Sequence, residues 1–308
     1  MSKSLSDLIV EAHGLVKSFG RVTALDGLDL RVERGEVHGF LGPNGAGKST
    51  TIRALLGQIR LDGGSASVMG MDPWRRAVDI HERLAYVPGD TALWPGLTGG
   101  QCIDVLGGIH GAMNQKRRDE LVERFELDPT RRFRTYSKGN RQKVALVAAL
   151  ACDVDLLILD EPTSGLDPLM EAVFQGVVTE LANQGVSVLL SSHILAEVET
   201  LCGRVTVVRS GRGVFSGSLA SLRASAPSAI EAVTERAPEG LERIDGVADL
   251  MVSADPHGTR ITALVDARGL PAALAQVARA RPLQVAVPPP SLEQLFLEQY
   301  SDEGGERP

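Results

Sequence analysis

Residues 42 to 50 of this 308-residue chain read Gly-Pro-Asn-Gly-Ala-Gly-Lys-Ser-Thr, and few folds can use such a run. A short apolar stretch, Val37 to Leu41, leads into it. Helical patterning continues from Lys48 to about Ile59 and is expected to end at Asp62-Gly63-Gly64. Strand, Gly42-x-x-x-x-Gly47-Lys48-Ser49 and helix together form the pattern of a phosphate-binding loop. Gly42, Gly45 and Gly47, with Asn44 between them, let backbone N–H groups curl around a β-phosphate, and the helix start adds positive potential. Lys48 is placed to reach the β- and γ-phosphates, and the Ser49 hydroxyl to ligate Mg2+. Thr50 closes this set of candidate nucleotide-binding residues. A Gly-rich turn with an exposed Lys is spelled in the same letters, but the flanking strand and helix argue for the loop.

A mostly apolar stretch, Val154 to Leu159, ends in the acid pair Asp160-Glu161. Downstream of a phosphate loop, Asp160 is the expected Mg2+ partner, directly or at one remove. Glu161 then polarises the water that attacks the γ-phosphate. Adjacent acids at a strand end also occur without chemistry; the loop upstream gives these weight.

Residues 8 to 41 read as strands, with Leu28-Asp29-Leu30-Arg31-Val32-Glu33 alternating at period two. Ser65 to Gly70 and Leu84 to Pro88 read as further strands. Residues 99 to 152 read mostly as helices, broken near Met113-Asn114 and from Asp128 to Thr135. A helix over Pro168 to Asn183 separates the strand ending at Leu159 from one at Val186 to Leu190. Such alternation implies a largely parallel sheet covered on both faces. From Ser218 to Pro227 the chain turns Ser/Ala-rich, which marks a domain boundary. Beyond it we expect a hairpin over Leu250 to Val265 turning at Asp255-Pro256-His257-Gly258, a helix over Leu270 to Ala280 and a strand over Leu283 to Val287. A helix is expected from Ser291, with Gln294 at capping-box spacing, then a disordered tail from Ser301 to Pro308.

With the loop and the acid pair in this order, the sequence resembles the ATP-binding cassette family, the nucleotide-binding engines of membrane transporters, over about residues 8 to 220. Tyr136-Ser137-Lys138-Gly139-Asn140-Arg141-Gln142-Lys143 matches the family's signature motif in position and in Ser137 and Gly139, while Lys138 and Asn140 depart from the usual Leu-Ser-Gly-Gly-Gln. A Ser-capped amphipathic helix has the same look. Ser164-Gly165-Leu166-Asp167 stands at the spacing of the D-loop. The resemblance implies that Ser137, Gly139 and Asp167 meet the nucleotide of a second copy, so that two MgATP are sandwiched head-to-tail in a homodimer. It implies that His193 is the switch histidine at the γ-phosphate, where a lone His after a strand is otherwise structural. It also implies that Phe19, in Lys17-Ser18-Phe19-Gly20, stacks on adenine, where a Phe is otherwise core.

One family element is missing. The Gln that normally follows a strand such as Leu84 to Pro88 is replaced by Gly89-Asp90, and Asp90 is the remaining candidate oxygen for the metal or the water. The segment Gly89 to Gly100 stands where a cassette grips the coupling helix of its membrane partner. Trp94, Pro95 and Leu97, expected to be exposed, suit such a groove, or pack under the helical subdomain. The loop run, the signature and the ending Pro290-Ser291-Leu292-Glu293-Gln294-Leu295-Phe296 look most like drug and antibiotic exporters of the daunorubicin- and tetronasin-resistance type.

The fold so implied is α/β, a P-loop NTPase cassette. Its mixed sheet core carries an N-terminal antiparallel β subdomain and a helical signature subdomain at about 90–152. The nucleotide-binding domain spans 1–220, and a small C-terminal α/β dimerisation or regulatory domain spans 221–300. The activity implied is ATP hydrolysis, with ATP and Mg2+, coupled to a separate integral-membrane permease at the cytoplasmic face of the cell membrane.

Composition limits the alternatives. A net charge of −7 and 4% aromatics disfavour nucleic-acid coating and base stacking. The longest apolar run, Val144 to Cys152, falls far short of the roughly 20 residues of a spanning helix. Met1 to Val10 lacks the pattern of a secretory signal. Cys102, Cys152 and Cys202 form neither a disulfide framework nor a zinc pattern. A soluble cassette acting on ribosomes or DNA would usually carry two cassettes or long inserted arms. An ATP-gated regulatory subunit, as of an importer, would not need Asp160, Glu161 and His193 together.

Overall fold

The computed structural model describes residues 7–110, 113–224 and 227–288. The chain opens on two long antiparallel strands, β1 (Leu8–Phe19) and β2 (Val22–Glu33), which turn back on each other at Gly20-Arg21. Leu28, Leu30 and Val32 are buried and the residues between them face out, as period two requires. β3 (Val37–Leu41) is buried at every position and runs into the glycine-rich loop and α1 (Lys48–Leu55). α1 stops four residues before the expected Ile59. Gly57 turns left-handed (φ 67°) and donates its N–H to the Ala54 carbonyl at 3.0 Å, which ends the helix.

β4 (Gly63–Val68), α2 (Ala77–His81) and β5 (Leu84–Val87) follow. Then come the helices α3 (Gly99–His110), α4 (Gln115–Arg124) and α5 (Lys138–Leu150), with the breaks where the sequence placed them. β6 (Leu156–Asp160), α6 (Pro168–Asn183), β7 (Ser187–Ser192), α7 (Leu195–Leu201), β8 (Arg204–Arg209) and β9 (Arg212–Ser218) complete the first part. α7, β8 and β9 carry no strong sequence signal.

Two sheets result. β2-β1-β4 is antiparallel. The second has the order β5-β6-β7-β3-β8-β9, with parallel pairing from β5 through β8. β9 returns through a two-residue turn, Ser210-Gly211, and so runs antiparallel to β8. One apolar core joins the two sheets, with Leu25 and Leu28 from β2, Phe40 from β3, Ile52 from α1 and Ile158 from β6. Burying side chains of this size contributes about 1.5–3 kcal/mol each.

The chain divides into two compact units, one up to Gly217 and one from Ser218. The second unit holds α8 (Leu219–Ala224), β10 (Ser228–Thr234), β11 (Val247–Asp255), β12 (Gly258–Val265), α9 (Leu270–Arg279) and β13 (Pro282–Ala286). Its antiparallel sheet has the order β11-β12-β10-β13. The hairpin closes at Asp255 and Gly258, as expected, and begins three residues earlier than the sequence suggested. β10 follows the Ser/Ala-rich stretch directly and was not expected as a strand, and α8 lies within that stretch. Ile230, Ala232, Ile261, Ala263 and Val265 form a small core with Ala273 and Val277 of α9. The helix expected from Ser291 and the tail from Ser301 lie outside the described residues. Among the described residues, no helix is long and apolar enough to cross a membrane.

Candidate functional site

Strand register decides which loops meet. Leu41 of β3 pairs with Ser192 of β7, Asp160 of β6 with Ser191, and Val87 of β5 with Leu159. The carboxyl ends of four parallel strands therefore align, and this is the edge of an open α/β sheet at which ligands bind. The glycine-rich loop leaves from β3, the acid pair from β6, His193 from β7 and Gly89 from β5.

Gly47 (φ 111°) starts α1 with no side-chain cap and no acid in the first turn, so the first N–H groups are left for an anion. Lys48 is buried. Its Nζ donates to the carbonyls of Gly42 at 2.6 Å and Pro43 at 3.2 Å, and lies 3.9 Å from Glu161 Oε1. Burial pulls the Lys48 pKa below its ordinary value, against the opposing pull of Glu161 and then Asp160. The Ser49 hydroxyl donates to Asp160 Oδ2 at 3.1 Å. Two hard oxygens so placed suit Mg2+, which keeps its remaining places for water and phosphate.

Glu161 sits in the left-handed region at φ 48°, where a residue with a Cβ rarely rests. Its N–H donates to the Ser191 carbonyl at 2.9 Å, and its own carbonyl accepts from the Ser164 N–H at 3.1 Å. This turn aims the carboxylate back over the strand ends, where Oε1 lies 3.3 Å from His193 Nδ1. Lys48, Ser49, Asp160, Glu161 and His193 are thus brought together. Behind His193, the Ser192 hydroxyl donates to the buried Glu197 carboxylate at 2.6 Å and accepts from the Ile194 N–H at 3.0 Å. Burial pushes the Glu197 carboxyl above the ordinary carboxylate range. Nothing in the sequence singled out Glu197.

Other candidates stand apart. Ser137 caps α5, accepting from the Asn140 N–H at 3.3 Å. Lys138 donates to Ser164 at 3.0 Å, and Gly139 lies against the Gly165 carbonyl, with no space for a side chain. The signature and the D-loop therefore touch within one chain. Asp167 caps α6, accepting from the N–H groups of Leu169 at 3.1 Å and Met170 at 3.0 Å. Among the described residues no hydrogen bond or ion pair joins Ser137, Gly139 or Asp167 to the Lys48–Glu161 group.

Phe19 is half exposed at the β1–β2 turn, with Lys17 Nζ 5.4 Å from its ring centre. Lys17 in turn donates to Asp62 at 2.9 Å, and Asp62 Oδ2 accepts from the Ser18 N–H; the Lys17 bond first, and then the Ser18 bond, hold the Asp62 carboxyl below its usual range. Gly89 abuts the Asp160 carbonyl, while Asp90 is exposed and forms no hydrogen bond or ion pair with the acid pair among the described residues. Trp94 and Pro95 are exposed and Leu97 is half-buried.

Residues 25–164 match the ABC transporter family model. The daunorubicin resistance ATP-binding protein DrrA3 of Streptomyces coeruleorubidus is 41% identical over 225 residues, 71% of each chain. DrrA2 of the same organism is 36% identical over 303 residues, 94% of each chain. A solved ATP-binding subunit of an ABC transporter superposes with a TM-score of 0.66 at 30% identity, covering 70% of this chain and 92% of its own. The chain belongs to the ATP-binding cassette family, as an ATPase subunit of an ABC transporter.

Proposed function

We propose that this chain is the ATP-hydrolysing subunit of a drug or antibiotic efflux transporter, acting as a homodimer on a separate integral-membrane permease. The observation that carries the hydrolytic reading is the convergence of Lys48, Ser49, Asp160, Glu161 and His193 at one sheet edge. The export reading rests on the names of the daunorubicin resistance relatives.

In this reading Lys48 exchanges its carbonyl partners for the β- and γ-phosphates. Ser49 and Asp160 hold Mg2+, which supplies neutralising charge at the phosphates. Glu161 Oε1 takes the proton of the water attacking the γ-phosphorus, and ADP leaves as the β–γ bond breaks. His193 Nδ1 keeps the carboxylate turned toward that water. The exposed ring of Phe19 offers a face for adenine. Ser137, Gly139 and Asp167 serve the second copy's nucleotide. The permease places the dimer at the cytoplasmic face of the membrane, and residues 221–300 contact the dimer mate.

Turnover of purified chain against its Glu161→Gln variant tests this. A fall of about 100-fold or more is expected, with MgATP binding retained. Undiminished turnover would remove Glu161 from the reaction.

A further inference from the structure

The strained turn that aims Glu161 is anchored from a third side, by a residue of the signature helix that the reaction itself does not use. Gln142 of α5 is 2% exposed, and both ends of its amide are occupied. Its Nε2 donates to the Pro162 carbonyl at 3.1 Å, and its Oε1 accepts from the Thr91 hydroxyl at 2.8 Å. Pro162 follows Glu161 directly. Thr91, itself buried, follows the Gly89-Asp90 pair that stands in for the missing Gln. Gln142 therefore spans from the segment after β5 to the turn after β6.

We infer that Gln142 is a positioning residue for Glu161: its buried amide locks the Pro162 carbonyl, and Thr91 locks the amide. A left-handed residue with a side chain persists only where its surroundings over-determine it. Two of the restraints are main-chain bonds, from Glu161 N–H to Ser191 and from Ser164 N–H to Glu161. The third comes from Gln142. Its strength follows from its setting. An amide this deep that loses one partner has no water to replace it, so the bonded arrangement is strongly preferred. Thr91 shares that constraint because it is itself buried, beside an apolar cavity of about 210 Å³ that it lines with Tyr86, Leu93, Leu106 and Ala145. Its hydroxyl turns to Gln142. A shift of α5 then reaches Pro162, next to Glu161, through one hydrogen bond, and a shift of the segment at Thr91 through two, without touching nucleotide.

The inference rests on the reading of Glu161 as the residue that takes the proton, and the test separates the two. Steady-state and single-turnover ATP hydrolysis, MgATP affinity and thermal melting are measured for Gln142→Met, Thr91→Val, Glu161→Gln and the double variants. Gln142→Met should lower kcat by about tenfold or more while KM and MgATP affinity stay within about twofold. Added to Glu161→Gln, it should lower the single-turnover rate by less than about twofold, since the group it positions is gone.

Thr91→Val leaves the bond to Pro162 in place and should lower kcat about threefold, with no further loss when added to Gln142→Met. It decides the question if Gln142→Met loses its melting transition. Unchanged kcat in Thr91→Val would then overturn the inference. Intact turnover in a folded Gln142→Met, or a loss equally large in the Glu161→Gln background, would also overturn it while leaving Glu161 in its role. Undiminished turnover in Glu161→Gln alone would overturn the reading of Glu161, and this inference with it.

Discussion

In the first unit the fold buries Lys48, Gln142, Asp160 and Glu197, whereas in the second Thr234 is the one buried polar residue among the described residues. The second unit keeps its charges in pairs such as Arg281 with Glu235, both well exposed, and surface pairs of this kind contribute about 0–1 kcal/mol. Its core is made of alternate strand positions and one helix face. That suffices for a fold and demands little of any single polar group. The first unit accepts the cost of burying polar groups, and each one named here has a partner near the strand ends. Burial of charge is expensive unless it is paired. Where a sheet tolerates it repeatedly at one edge, the edge is the place to look for chemistry.

Five changes would break or sharpen this contrast. The largest concerns the core beneath the site. Phe40 is fully buried in β3, and Phe40→Ala should cost about 3–5 kcal/mol in chemical denaturation followed by circular dichroism. A loss under about 1 kcal/mol would mean that the sheet does not depend on it. Next, Lys48→Ala should weaken MgATP binding by about 100-fold in calorimetric titration, because two or more charge-assisted contacts to phosphate go with it. Arg281→Ala in the second unit should leave that affinity within about twofold, as expected of an exposed pair.

A smaller effect is expected at Asp167. Asp167→Ala removes the cap of α6 and should cost about 1 kcal/mol of stability. Turnover falling further than that stability loss explains would favour the proposed contact with a second copy's nucleotide. The smallest is a pH dependence. Burial raises the Glu197 carboxyl in the folded chain, so folding favours the protonated form. The contribution of Glu197 to stability should be fully present below the ordinary carboxylate range and should be lost as pH rises from there through the raised value. Glu197→Gln keeps an acceptor for Ser192 and removes that dependence. Its melting temperature should therefore gain on the parent chain as pH is raised, and parallel melting curves would contradict the assignment.

What could be read from sequence was what lies close in sequence. The glycine-rich loop, with its strand and helix, is one continuous stretch. α6 was legible because Asp167-Pro168 is a helix start and the apolar spacing continues to Asn183. The acid pair gained meaning from its place after an apolar strand. The rest depends on partners distant in the chain. Gln142 meets Thr91 across 51 positions and Pro162 across 20, so no local pattern could join them. The left-handed turn at Glu161 has no letter that announces it, since most such positions are glycine. The convergence of His193 with Glu161 needed the register of β6 on β7. β10 was missed because Ser228-Ala229-Ile230-Glu231-Ala232 is too weakly apolar to signal a strand; its neighbours β12 and β13 supply the burial.

The central claim is that nucleotide recognition belongs to the first unit alone. Titration of MgATP into the full chain and into its residues 1–220 tests it most directly. The account predicts affinities equal within about threefold. Loss of MgATP binding by residues 1–220 that still show a cooperative melting transition would contradict it.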